Sequence, residues 1–295
     1  MNFPYIYQNG NFNIKLESNG SRTITCKEDI LKPEYPLNID IRLSTSCSFA
    51  NTLCKDFCHE SAVVNGKDCN YDILKSKLIG LPKGIELAIG CNKFTIELYE
   101  FLEWCKEKEY IANLTINQGH INRDLTMLLL AIDNKIVNGI GISYRNELKF
   151  NIPKQLLDYE HIVFNVIIGI DKFEDIEQLS KYGVKRIVIL GMKNFGNYLN
   201  KGNYESIQYK QWIWWISKWL SGNNLPFKNI SFDNLAIEQL KLDRLFNKEQ
   251  WKSFYNYELS MYIDAANAIY RPSSRDENFV EWNDNVITYF KSLNK

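Results

Sequence analysis

The chain lacks any apolar run approaching the ~20 residues that carry a helix across a bilayer. Its densest stretch, 162–170, is already broken by Asn165, so no membrane partner is expected. It lacks net charge, with 35 Lys and Arg against 35 Asp and Glu. Without a basic field, neither a long nucleic acid nor a membrane surface is indicated as a partner. The opening Met1-Asn2-Phe3-Pro4-Tyr5 has neither the charged nor the apolar segment of a secretory signal. The expected compartment is therefore the cytoplasm, where thiols stay reduced. No low-complexity linker divides the chain. The expected organisation is a β extension over 1–35 followed by one larger domain over 36–295.

What is present suits a globular protein. The chain is 45% hydrophobic, 24% charged and 14% aromatic, which excludes a disordered chain. At this length a single core buries roughly 75% of the unfolded surface, so no staples are required. Near the start, Tyr5-Ile6-Tyr7 meets Asn9-Gly10. Phe12-Asn13-Ile14-Lys15-Leu16 then meets Asn19-Gly20, and Arg22-Thr23-Ile24-Thr25 follows. Asn-Gly between alternating segments is a hairpin signal, because both residues tolerate positive φ, so a small β-meander is predicted.

Beyond Pro33 and Pro36, short apolar runs alternate with helical periodicity. Strands are predicted at 37–43, 85–89, 111–116, 137–143, 162–168, 184–190, 229–232 and 261–263. Helices are predicted at 71–78, 95–106, 123–133, 173–182, 205–220, 234–242 and 283–293. In the clearest of these, Leu98, Phe101, Leu102 and Cys105 share a face, and Glu97, Glu100, Glu103 and Lys106 lie largely elsewhere. Such repeated alternation predicts an α/β fold with a parallel sheet under helical cover, as a partial or full (β/α) barrel. A doubly wound order is the alternative.

The cysteines are unevenly placed: Cys26, Cys47, Cys54, Cys58, Cys69, Cys91 and Cys105. Cys47, Cys54 and Cys58 share the loop after the first predicted barrel strand, at the end of the barrel where chemistry resides. A tight cluster in a reducing compartment favours metal or catalysis over disulfides. Three thiolates suit a soft metal centre. A [4Fe–4S] cluster normally takes four Cys, so three would leave one iron open. Two other readings stand beside it: a zinc site completed by His59, and buried thiols that bind nothing.

This loop and its surroundings resemble the radical SAM superfamily, in particular a group of phage and bacterial members of unassigned substrate. Phe57-Cys58-His59-Glu60-Ser61 resembles the end of that family's C-x3-C-x2-C motif, here spaced C-x6-C-x3-C. Pro33-Glu34-Tyr35-Pro36-Leu37-Asn38-Ile39-Asp40-Ile41 resembles the first strand, and Glu86-Leu87-Ala88-Ile89-Gly90-Cys91-Asn92 the glycine-rich second. Asn113-Leu114-Thr115-Ile116-Asn117 is similar to the third, Gly139-Ile140-Gly141-Ile142-Ser143 to the fourth, and Leu190-Gly191-Met192-Lys193-Asn194-Phe195-Gly196 to the sixth. Phe232-Asp233-Asn234-Leu235-Ala236 and Met261-Tyr262-Ile263-Asp264 resemble late barrel segments, so the resemblance covers most of the chain.

The resemblance implies a radical SAM barrel and a radical SAM enzyme, with a [4Fe–4S] cluster and S-adenosylmethionine as cofactors. Cys47, Cys54 and Cys58 would bind three irons, and S-adenosylmethionine would chelate the fourth. One-electron reduction would give methionine and a 5′-deoxyadenosyl radical that abstracts hydrogen from a substrate in the barrel mouth. Phe57 would lie near the adenine, Gly90 and Asn92 at the methionine end, and Ser143 at the carboxylate or ribose. Asn117 has a similar position on the third strand. Cys91 is either an obstacle there or an extra ligand. No cysteine follows Cys105, so a single cluster is expected. The implied partners are a small-molecule, nucleotide or peptide substrate and an electron donor such as a flavodoxin or ferredoxin. The alternative is a degenerate, non-catalytic barrel whose structural metal site serves a binding or interaction module. His120, Arg145 and Lys193 sit in loops at the same end, where Arg145 reads as a solvated arginine. The helix bearing Trp212, Trp214, Trp215 and Trp219 reads as core packing with one face of rings exposed.

Overall fold

The computed structural model describes residues 4–17, 22–28, 30–52, 54, 58, 60–193, 207–222, 225–248, 251 and 259–293, with the backbone alone at 207–209 and 220. The chain opens with an antiparallel meander of β1 (Tyr5–Asn9), β2 (Phe12–Leu16) and β3 (Arg22–Cys26). Gly10 turns the first hairpin at φ +58°, and a Cβ there would overlap the Lys32 carbonyl, so only glycine fits. Asn9 is fully buried. Its carboxamide accepts from the backbone N–H of Glu34 and Tyr35 and donates to the Tyr35 carbonyl, tying the meander to the segment that leaves it.

The second sheet carries the rest of the fold. Its strands are β4 (Asn38–Arg42), β5 (Glu86–Cys91), β6 (Ile111–Asn117), β7 (Gly139–Ser143), β8 (Ile162–Ile167), β9 (Arg186–Leu190), β10 (Asn229–Phe232), β11 (Ser260–Asp264), β12 (Ile269–Arg271) and β13 (Val280–Glu281). From β4 to β10 each strand pairs in parallel with the next, and β11 adds in parallel on the other side of β4. The short β12 and β13 continue antiparallel from β11. Among the described residues no ladder joins β10 to β11, so the parallel strands form a barrel left open along that seam. Periodicity missed β12 and β13, which are too short to show an alternation.

The crossovers are α1 (Tyr71–Leu78), α2 (Ile96–Glu107), α3 (Ile121–Asp133), α4 (Lys154–Leu157), α5 (Phe173–Lys181), α6 (Ile207–Ser221) and α7 (Asn234–Leu240), with α8 (Val286–Leu293) last. Several starts are set by side-chain caps. Asn70 Oδ1 accepts from the N–H of Asp72 and Ile73, Thr95 Oγ1 from Leu98, and Asp233 Oδ1 from Ala236. On α6, Trp212 and Trp219 are buried and Trp215 stacks on Phe173 at 4.4 Å, while Trp214 is exposed. That is the core-packing role expected of the helix.

The two faces of the parallel sheet differ. Ile39, Ile41, Leu87, Ile89, Leu114, Ile116, Ile140, Ile142, Phe164 and Val166 are buried against the helices in one continuous core. Each such side chain contributes about 1.5–3 kcal/mol when fully buried. The alternate positions Asn38, Asp40, Arg42, Asn113, Thr115, Asn117 and Asn165 turn to the other face, the inside of the barrel. The meander covers the N-terminal ends of the strands. Tyr7, Phe12 and Ile14 cluster with Leu37 and Leu259, and Arg22 pairs with Glu86 at 2.8 Å. Chemistry is thereby left to the opposite, C-terminal rim.

Candidate functional site

The loop after β4 leaves the rim and returns on itself. Thr45 N–H bonds to the Lys67 carbonyl at 2.8 Å, Val63 N–H to Thr45 at 2.9 Å, and Cys47 N–H to Val63 at 2.8 Å. Ser44 Oγ adds a bond to Asp68, and Ser46 Oγ one to the Val64 carbonyl. Gly66 lets the two arms meet, because a Cβ there would lie 2.4 Å from the Ser46 nitrogen. Beyond this neck the chain coils tightly. Cys54 N–H bonds to the Phe49 carbonyl at 3.2 Å and Cys58 N–H to the Cys54 carbonyl at 2.9 Å.

The far end of the loop is anchored by charge. Arg42 pairs with Asp264 at 3.1 Å and with Glu60 at 3.2 Å, and donates to the Glu60 carbonyl at 2.6 Å. Tyr262 Oη donates to Glu60 at 2.7 Å. Glu60 is two residues after Cys58, so β4 and β11 together set where the third cysteine emerges.

All seven cysteines are free thiols. Cys54 is buried, and Cys47 and Cys58 are half-buried. Burial pushes the Cys47 and Cys54 thiols above their ordinary range. The charge of Cys58 acts in the same direction on both, and that of Cys47 on Cys54, so the three thiols stand within electrostatic reach of one another. Asn117 Nδ2 points at the Cys54 sulfur from 3.7 Å. His120 Nε2 lies 3.9 Å from the Cys47 sulfur. Burial lowers the His120 ring to about 4, so it is neutral near pH 7.

The other residues singled out in the sequence fall at the ends of adjacent strands. Gly90 is on the inner face at the end of β5. Its missing Cβ would meet only the Ile41 carbonyl, at 3.6 Å, so space lies in front of it. Asn92 donates through Nδ2 to the Ser46 carbonyl at 2.9 Å and so braces the cysteine loop. Its own carbonyl accepts from Arg123, which is clamped on buried Asp124. Asn117 closes β6 and Ser143, half-buried, closes β7 in register beside it. Cys47, Gly90 and Asn92 line one cavity of about 640 Å³ with Ser46, Tyr71 and Arg123. Ligand pockets typically measure ~300–1,000 Å³. Phe57 and His59 lie outside the described residues.

Three features went unread in the sequence. Arg145 is buried rather than solvated, at 7% exposure. Its guanidinium hydrogen-bonds the Cys54 thiol and draws it part of the way back towards ionisation. Phe49, inside the cysteine loop, meets the His120 ring edge-on at 4.6 Å and covers Gly119, where a Cβ would be 2.4 Å from its ring. Cys91 belongs to the helix-side core, on the face of β5 opposite Gly90, and burial raises its thiol to about 12. Its side chain therefore turns away from the inner face.

The donor set suits a soft metal centre. Three buried or half-buried thiols share one loop, and the ionisation that burial opposes at Cys47 and Cys54 is what a bound cation restores. Among the described residues no three His, Cys, Asp or Glu groups converge tightly enough for a single metal ion. A cube spreads its thiolates over separate irons and asks for wider spacing.

No family model matches the sequence, and no curated protein matches it. Solved structures do match in fold. The crystal structure of Streptococcus suis SuiB bound to S-adenosylmethionine superposes with a TM-score of 0.61 at 12% identity, over 98% of this chain and 87% of that one. SuiB bound to the precursor peptide SuiA gives 0.55 at 14% identity, over 88% of this chain; the match spans 65% of that chain's length. At such identities the likeness is one of fold. The fold is an α/β partial barrel with an N-terminal β-meander, as the resemblance implied, and it is shared with SuiB. No helix among the described residues is long and apolar enough to cross a membrane.

Proposed function

We propose that the chain is a radical SAM enzyme. In this reading Cys47, Cys54 and Cys58 hold a [4Fe–4S] cluster, and S-adenosylmethionine binds beside them. The observation that carries the reading is the gathering of three buried or half-buried thiols, within electrostatic reach of one another, on the loop after β4. Support comes from a fold shared with a protein seen bound to S-adenosylmethionine. When bound, the cofactor pair supplies one-electron cleavage of the sulfonium C–S bond and removal of a hydrogen atom from substrate.

The chain's own residues bind and orient. Asn117 and Arg145 direct hydrogen bonds at the Cys54 sulfur and lower the cost of its negative charge. Neutral His120 flanks Cys47 and is held by Phe49. Gly90 leaves room for the methionine end, and Asn92 keeps the cysteine loop against β5. Asn117 and Ser143 border the same mouth, and Phe57 is assigned to the adenine by family resemblance. The barrel interior receives the substrate, for which the peptide seen with SuiB makes a peptide one candidate. A flavodoxin or ferredoxin supplies the electron. The cytoplasm, the compartment in which thiols stay reduced, completes the reading.

Anaerobic purification tests this. The protein should be brown, with about four irons and four sulfides per chain. On reduction it should form 5′-deoxyadenosine from S-adenosylmethionine, and Cys58→Ala should abolish that product. A colourless protein holding zinc would overturn the reading and leave a binding module.

A further inference from the structure

Among the described residues, the inner face of the barrel has more carboxylate than the cations paired to it neutralise. Arg42 is engaged by both Glu60 and Asp264, and Arg22, reaching in from the meander, by Glu86. Glu86 also accepts from Asn113 Nδ2 at 2.6 Å. Among the described residues Asp40 is the inward carboxylate outside these pairs; it accepts a hydrogen bond from the Asn38 side chain, which is neutral and leaves its charge unpaired. Register places it between Tyr262 on β11 and Ala88 on β5, one inward position below Arg42 and Gly90. Its neighbours Ile39 and Ile41 point to the helices, so its side chain turns into the barrel.

Among the described residues, no Lys or Arg nitrogen comes within 4 Å of the Asp40 carboxylate. Lys193 acts on it through space, while its Nζ donates to Ser274 Oγ at 3.0 Å. Glu86 and Glu60 face Asp40 with charge of the same sign. Asp40 is enclosed deeply enough for burial to be the largest influence on it, yet it keeps part of its surface open. A group both deep and reachable lines an internal space. Ala88 and Gly90 on the neighbouring strand leave room beside it: Ala88 carries only a methyl group, and a Cβ at Gly90 would meet nothing closer than the Ile41 carbonyl at 3.6 Å. A carboxylate withdrawn from water without a paired charge destabilises the fold, and a ligand cation placed against it removes that cost.

We propose that Asp40 is a substrate-binding residue that receives a cationic group, an ammonium or guanidinium, inside the barrel. The proposal rests on the barrel interior being the substrate chamber, as in the radical SAM reading. It assigns the substrate's charge, which that reading leaves open. Nucleotides and carboxylate metabolites are disfavoured by the same excess of carboxylate, whereas amine-bearing molecules and basic peptide side chains are favoured.

The test uses the full chain, with iron content and 5′-deoxyadenosine formation measured on the same preparation. Those two measurements report on the radical SAM reading by themselves. Thermal melts at pH 8 are then run with n-butylammonium, with N-acetyl-lysine N-methylamide and with n-butanol as the uncharged control. The two ammonium probes should raise the melting temperature of the wild type, n-butanol should not, and Asp40→Asn should abolish the response. A larger shift with the blocked lysine points to a peptide source, and a larger shift with butylammonium to a small amine. Either sustains the proposal. Equal shifts in wild type and Asp40→Asn, no shift in either, or a shift with n-butanol as large as with butylammonium would overturn it. Without probe, Asp40→Asn should melt no lower than wild type; a lower melting temperature would mean that Asp40 serves the fold and would also overturn the proposal.

Discussion

The parallel sheet has two faces built from the same strands, and they obey different physics. On the helix side, Ile39, Leu87, Ile89, Leu114 and Phe164 are sealed from water and pack into one continuous apolar core. On the inner side, Asp40, Arg42, Asn113, Asn117 and Asn165 sit one residue away along the same chains and keep part of their surface open. The first face holds the molecule together by area removed from water. The second holds polar groups in a confined space, where each needs a partner or stays costly. Arg42 has its partners in Glu60 and Asp264, and Glu86 in Arg22 and Asn113. Asp40 accepts from Asn38 but has no paired cation among the described residues, which is how a binding surface differs from a structural one.

The sharpest way to break this comparison is to weaken the helix side alone. Phe101 on α2 is fully buried between Tyr71 and Trp104. Phe101→Ala should cost about 3–5 kcal/mol in chemical denaturation, since it removes a large ring and leaves a cavity. Its iron content should match wild type under conditions where it remains folded. Iron lost in proportion to stability would mean that the two faces are one cooperative unit.

A second test reverses the sign. Burial raises the Asp40 carboxyl from its ordinary range to about 6. The native state therefore holds this proton to higher pH than the unfolded chain does. The destabilisation sets in as pH rises between about 4 and 6, and above that the full cost is on the order of 3 kcal/mol. Asp40→Asn removes the ionisation. It should be the more stable protein above pH 6 and converge with wild type below pH 4, as read from melts across that range. A variant less stable at pH 8 would place Asp40 with the structural residues.

Gly90→Val has the smallest expected effect. The side chain meets no backbone closer than the Ile41 carbonyl at 3.6 Å, so the strand accepts it. If the methionine end of S-adenosylmethionine lies there, calorimetry on the reconstituted protein should show binding weakened about tenfold, ~1.4 kcal/mol. Iron content should be unchanged. Equal binding would remove Gly90 from the site.

Much of the scaffold was legible because one face of every strand is apolar. Runs such as Ile162-Val163-Phe164-Asn165-Val166-Ile167 and the Leu98, Phe101, Leu102, Cys105 stripe follow from burial against helices, and the strands fell within a residue or two of where periodicity put them. The cysteine loop was legible because three thiols in a dozen residues are chemically unusual. Arg145, Phe49 and Asp40 were not. Arg145 and Phe49 become significant through Cys54 and His120, neighbours reached only by folding.

The sequence by itself determined the alternation of strands and helices, the meander turned by Asn9-Gly10, and the presence of three cysteines on the loop after β4. Those are local properties, set by side-chain period, turn chemistry and residue type. Strand order, the seam left open between β10 and β11 among the described residues, the turning of Cys91 away from the inner face and the placing of Asp40 without a paired cation among those residues were decided by the tertiary structure alone. The reason is physical: a polar residue that alternates with apolar ones faces either water or the inside of a barrel. Its own sequence is the same in both cases, and only closure of the sheet around it distinguishes them.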